Sequence, residues 1–112
     1  SVLNRVFYAA AGIFYRKPGA AIVSARRAGT TAAIDVLNKY MTIANMPVVS
    51  SQYWNMVHGN TPDEVRQDAE GMHVMRILGK NMAWMLKSIH TAKANGVDAP
   101  PSEQKTMTNF IR

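Results

Sequence analysis

The sequence contains no cysteine. That excludes disulfide staples, cysteine nucleophiles and thiolate metal sites, and it fits a reducing compartment, so a cytoplasmic protein is expected. No apolar run approaches the roughly 18–20 residues needed to cross a bilayer, so no membrane association is expected. The first residues carry Arg5 and never form the long apolar stretch of a signal peptide. Acidic residues are scarce: seven Asp and Glu face thirteen Lys and Arg, giving a formal charge of +6 and a pI near 10.0. Such a balance raises nucleic acid as a partner. The basic residues are scattered, however, with Arg16-Lys17 and Arg26-Arg27 the only doublets. No helix face is rich in Lys and Arg, and a solvated surface is the preferred reading. Gly-x-Gly-x-x-Gly and phosphate-loop motifs are missing as well, which removes nucleotide binding by those routes. His73 and His90 stand seventeen positions apart without metal-ligand spacing, so no metal site is expected.

What remains is a 112-residue chain, 47% hydrophobic, with material for one ordinary domain. Val2 to Ala11 reads as a helix, with Val2, Val6 and Ala9 or Ala10 at helical spacing and Gly12 as its stop. Pro18-Gly19 punctuates the connector after it. Ala20 to Ser24 is a continuous apolar run, the pattern of a parallel strand buried on both faces. A helix from about Thr31 to Asn45 comes next, capped by Thr30 or Thr31. Ala33, Leu37, Tyr40, Met41 and Ala44 form its inward face, and Asn45-Met46-Pro47 ends it. Val48-Val49-Ser50 reads as a second buried strand, succeeded by a polar and aromatic loop from Ser51 to Asn60.

Thr61-Pro62-Asp63-Glu64 is a strong helix start, with a cap, a proline at the first helical position and acids in the first turn. A short segment to about Gln67 or Asp68 leads into a main helix reaching about Ala94. Met75, Leu78, Met82, Met85, Leu86 and Ile89 form its stripe, and Asn95-Gly96 stops it. The abundant methionines are core filler. Residues 97–112 read as a loosely attached tail beside a domain over 1–96. The order is α-β-α-β-α, and two parallel strands buried on both faces do not make a closed layer structure. The expected fold is therefore α/β, three layers with a doubly wound parallel sheet, incomplete within this chain. Further strands would come from a longer chain or a partner, and exposed strand edges favour a homo-oligomer over a lone monomer.

Ser24 to Thr31 joins the first strand to a helix N-terminus, where open α/β sheets place their ligands. The stretch from Lys17 to Thr31, with Ala21-Ile22-Val23-Ser24-Ala25-Arg26-Arg27-Ala28-Gly29-Thr30 at its centre, resembles the fourth strand and adjoining loop of flavodoxin-like NAD(P)H-dependent FMN reductases. Leu37-Asn38-Lys39-Tyr40, Asn45 to Asn55 and His58-Gly59-Asn60-Thr61-Pro62-Asp63-Glu64-Val65 are similar to the next segments of that family, up to its last helix. The resemblance runs from about Leu3 to Gly96. It implies five parallel strands ordered 2-1-3-4-5, of which this chain would hold the carboxyl-terminal part. The family's phosphate-cradling first loop and its Ser-Pro-x-Tyr-type third loop are not found here.

By that resemblance, Ser24, Ala25, Arg26, Arg27, Ala28, Gly29 and Thr30 would meet the pyrimidine edge and ribityl chain of FMN. Gly29 would permit close approach, and Arg26 and Arg27 suit the phosphates of NADH or NADPH. The alternative for this loop is a plain strand–helix turn with two solvated arginines. Tyr53, Trp54 and His58 would wall a substrate pocket, or pack against a neighbouring subunit or helix. No catalytic acid or base is required, because a flavin carries the chemistry. The implied function is an FMN-dependent oxidoreductase relaying electrons from NAD(P)H to a quinone or flavin acceptor. The alternatives are a truncated, non-catalytic structural or oligomeric unit, and a basic nucleic-acid-binding α/β module.

Overall fold

Two strands and four helices alternate along the chain: α1 Val2–Phe14, β1 Val23–Ala25, α2 Thr30–Ile43, β2 Met56–His58, α3 Pro62–Gln67 and α4 Ala69–Ala94. The computed structural model describes residues 2–104 and 106–108. Ser1, Lys105 and residues 109–112 of the expected tail lie outside the described set.

β1 and β2 pair in parallel, with Val23 opposite Met56, Ser24 opposite Val57 and Ala25 opposite His58. The two faces of this sheet arise from the alternation of side chains along a strand. Met56 accepts a hydrogen bond at its sulfur from the Thr30 hydroxyl of α2, whereas Val57 closes on Gly71 of α4. Successive residues of β2 thus meet different helices, so α2 and α4 cover opposite faces. That is a mixed α/β arrangement built on a two-stranded parallel sheet. The buried core comprises Val57 on β2, Ala21 and Val49 in the segments leading to the strands, Ile34 and Met41 on α2 with Ala44 at its C-cap, and Val74 and Leu78 on α4. α1 joins the α2 side, its Phe7 ring 5.4 Å from Tyr40.

Several expected boundaries are corrected. Gly12 does not stop α1, which kinks at Ala10 and continues to Phe14. Its terminator is Arg16 at φ 62°, a left-handed residue that is not glycine and so left no mark in the sequence. β1 begins at Val23, later than the expected Ala20. The second strand is Met56–His58, inside the expected loop, while Val48 makes only an isolated bridge to Gly19. The pairing offset grows by four residues between Gly19–Val48 and Val23–Met56, so the chain from Ser50 to Asn55 swings out of the sheet. Neither threonine caps α2: Gly29 does so at φ 89° without a side-chain bond, and Thr30 is buried in the first turn. Ile34, absent from the expected face, is the deeply buried residue of that helix's middle.

Other signals act as written. Thr61 and Glu64 close a reciprocal capping box with Pro62 inside the helix start. α2 ends in a Schellman motif, Asn45 at φ 58° and Met46 N–H donating to the Met41 carbonyl. α4 ends likewise at Gly96, with Val97 N–H on the Ala92 carbonyl. Helix α4 spans about 39 Å, far more than the three-residue strands beneath it. Its first half buries Gly71, Val74 and Leu78, while Trp84, Leu86 and Ile89 are exposed beyond the sheet. Residues 97–104 have no regular structure, though Ser102 hydrogen-bonds the Tyr15 hydroxyl and, with Arg16, holds that phenol below its usual range.

The two sheet edges differ. Val23 N–H donates to the Asn55 carbonyl, and Ala25 accepts from Gly59 N–H. β1 therefore turns those residues' backbone groups toward β2, and those of Ile22 and Ser24 point to the outer edge without partners among the described residues. On the outer edge of β2, by contrast, Met56 N–H bonds the Trp54 carbonyl and His58 N–H bonds Asp68 Oδ2. One edge is closed and the other is open. Ile22, on the α4 face over β1, is 56% exposed. Accessible surface totals 8705 Å², against about 6,100 Å² for a closed domain of this mass. The radius of gyration is 17.2 Å, where about 13 Å is usual at this length.

Candidate functional site

Because β1 and β2 are parallel and in register at Ala25 and His58, the loops leaving them lie side by side at the carboxyl edge of the sheet. The first runs through Arg26, Arg27 and Ala28 to Gly29, whose left-handed backbone turns the chain sharply into α2. A Cβ built on Gly29 meets nothing within 4 Å, so open space lies over the turn. No side chain caps α2, and no acid stands in its first turn. The N–H groups of Thr30, Thr31 and Ala32 are therefore unpartnered among the described residues, and the positive end of the helix dipole is not neutralised.

The second loop is held firmly. Glu64 Oε2 accepts from the N–H groups of Asn60 (2.7 Å) and Thr61 (3.0 Å), and Glu64 N–H donates to Thr61 Oγ1 (3.2 Å). A Cβ on Gly59 would stand 2.6 Å from the Val65 nitrogen, so only glycine lets this loop lie against α3. Asp68 ties the same loop to α4. Its Oδ1 caps the helix at Gly71 N–H (2.9 Å), and its Oδ2 accepts from His58 N–H (2.8 Å) and stands 3.8 Å from His58 Nδ1. The Gly71 N–H, then the His58 N–H, then the charge of the His58 ring hold this carboxyl below its ordinary value.

The aromatic loop is pinned to α4 by three side-chain bonds: Ser51 Oγ to the Val74 carbonyl, Asn81 Nδ2 to the Ser50 carbonyl, and Gln52 Nε2 with His73 Nδ1. Tyr53 and Trp54 project from it, ring centroids 5.1 Å apart and both 54% exposed. Asn55 behind them is buried, with its side-chain carbonyl unpartnered.

The expected site residues thus fall into groups. Arg26, Arg27 and His58 line one hollow of about 320 Å³ together with Gly59, Asn60 and Glu64. Tyr53 and His58 share a second, of about 240 Å³, floored by Met56, Val74 and Asp68. His58 stands between the two. Trp54 contacts the Tyr53 ring and lines neither. Ser24 is exposed on the open edge, and the Thr30 hydroxyl donates to the Met56 sulfur at 3.2 Å. Asp68, Asn60 and Glu64 were not anticipated as site residues. Asp68 could have been read from Asp-x-x-Gly ahead of an apolar periodicity, the mark of a helix cap.

Among the described residues no three His, Asp or Glu side chains gather as a metal site, and no helix is long and apolar enough to cross a membrane. Comparison with protein-family models, curated proteins and solved structures finds no match to the chain.

Proposed function

We propose that the chain forms the carboxyl-terminal part of a flavodoxin-like domain and contributes one wall of an FMN site in an NAD(P)H-dependent FMN or quinone reductase. The observation that carries this reading is the carboxyl-edge lip, where the β1 turn and the His58 loop meet. The turn offers small side chains at Ala25 and Ala28, open space over Gly29, two guanidinium groups and unpartnered N–H donors at α2. These fit the polar pyrimidine edge of a flavin, where negative charge gathers on reduction. The chemistry supplied by bound FMN is acceptance of hydride from NAD(P)H and electron delivery to a quinone or flavin. The protein's part is to orient that edge with backbone donors and to shield it, with Tyr53 and His58 as the neighbouring wall. The described residues include no cradle for the FMN phosphate, so binding by this chain alone is expected to be weak.

The open edge of β1 supports the incomplete-sheet part of the proposal. α1 and α2 lie on the same face, and crossovers between parallel strands are right-handed. A strand feeding α1 would then sit on the side of β1 away from β2, beside the free Ile22 and Ser24 groups. The same edge and surplus surface also favour the second reading, a non-catalytic structural or oligomeric unit. FMN titration monitored by flavin fluorescence, with an NAD(P)H-oxidation assay, separates them. Weak saturable quenching supports the first reading, and none up to millimolar FMN leaves the second.

A further inference from the structure

We infer that Arg26, Arg27, His58 and the Asn60 loop form a subsite for a phosphate-type anion, either a phosphate monoester or a pyrophosphate arm. The inference does not depend on flavin, because every group in it belongs to this chain. Three observations combine. The two loops are locked side by side, by the register of Ala25 with His58 and by Gly59 N–H on the Ala25 carbonyl at 3.1 Å. Their residues line one open hollow of about 320 Å³. The charge in it is unbalanced: among the described residues neither Arg26 nor Arg27 pairs with a carboxylate, the ion pairs there being His58–Asp68 and Arg66–Asp63.

The one carboxylate lining the hollow is Glu64, and its Oε2 is already held by two backbone N–H groups of the capping box. His58 Nδ1 stands 3.8 Å from Asp68 Oδ2, and no hydrogen bond to Nε2 occurs among the described residues. Two planar guanidinium forks beside an imidazole match the oxygens of a phosphate, which accepts paired hydrogen bonds from each fork. A lone carboxylate ligand presents fewer acceptors and one charge, so a dianion is the better occupant.

The test is a titration of the whole chain with inorganic phosphate and with pyrophosphate at matched ionic strength, monitored by amide NMR. The expected result is saturable shifts at Arg26 to Gly29 and at His58 to Asn60, with pyrophosphate the tighter ligand. Arg26→Gln with Arg27→Gln should weaken pyrophosphate binding about tenfold or more. Glu64→Gln keeps the capping box, since glutamine serves there too, and should tighten it by removing the one opposing charge. Shifts that are absent, that track chloride equally, or that survive the double arginine variant unchanged would overturn the inference. FMN titration of the same variants keeps the two proposals apart: phosphate binding without flavin quenching removes the flavin reading alone, and the reverse removes the subsite alone.

Discussion

Asp68 joins three elements through one carboxylate, and replacing it is the sharpest perturbation of the site's scaffold. Asp68→Ala removes the cap of α4 at Gly71 N–H, worth about 1 kcal/mol. It also orphans the half-buried His58 N–H, which now bonds a charged acceptor, worth about 1.5–3 kcal/mol. The sum, about 3 kcal/mol, is a large share of the 5–15 kcal/mol typical of a domain. At roughly 4–8 °C per kcal/mol, the melting temperature should fall by about 12–24 °C. Asp68→Asn retains one oxygen for two donors and should fall between wild type and alanine. The pH dependence has a definite sign. Asp68 titrates below its ordinary 3.8 when folded, so its contribution is fully present above that value and is lost as pH falls through the lower folded one. The gap between wild type and Asp68→Asn should therefore narrow as the pH drops below about 4. Urea unfolding from pH 7 to 3 measures both. A loss under about 0.5 kcal/mol for alanine, or a gap that widens in acid, would refute the reasoning.

Close approaches and the open edge give two further expected outcomes. Gly71→Ala should destabilise the chain, although alanine favours helix, because its Cβ would stand 2.9 Å from Val57 Cγ1 and displace the Asp68 carboxylate; thermal melts beside a Gly79→Ala control, where nothing lies within 4 Å, check it. Ile22→Pro removes an N–H that β1 does not use toward β2, so folding should survive while self-association through that edge falls, as read by sedimentation velocity.

The parts of this fold written in local chemistry were legible. Thr61-Pro62-Asp63-Glu64 announces α3 through its own capping bonds, Pro47 announces the end of α2, and Gly96, in the left-handed conformation, announces that of α4. The parts decided by tertiary contact were not. Met56-Val57-His58 is a strand only because β1 lies beside it, and three residues carry too little alternation to show it. Arg16 ends α1 in a conformation its side chain does not advertise. Leu86 and Ile89 have the spacing of a buried stripe, yet α4 outruns the sheet that would cover them. Within the candidate site, the β1 turn was visible as an apolar run meeting a glycine. The tie from Asp68 to His58 was hidden because it joins residues ten positions apart.

The proposed flavin wall, made by the β1 turn and the His58 loop, is open to FMN titration followed by amide-resolved NMR. The expected shifts are confined to Ser24 through Thr31 and to Tyr53 through Asn60, and they saturate together. Shifts elsewhere, or none at millimolar FMN, would contradict the proposal.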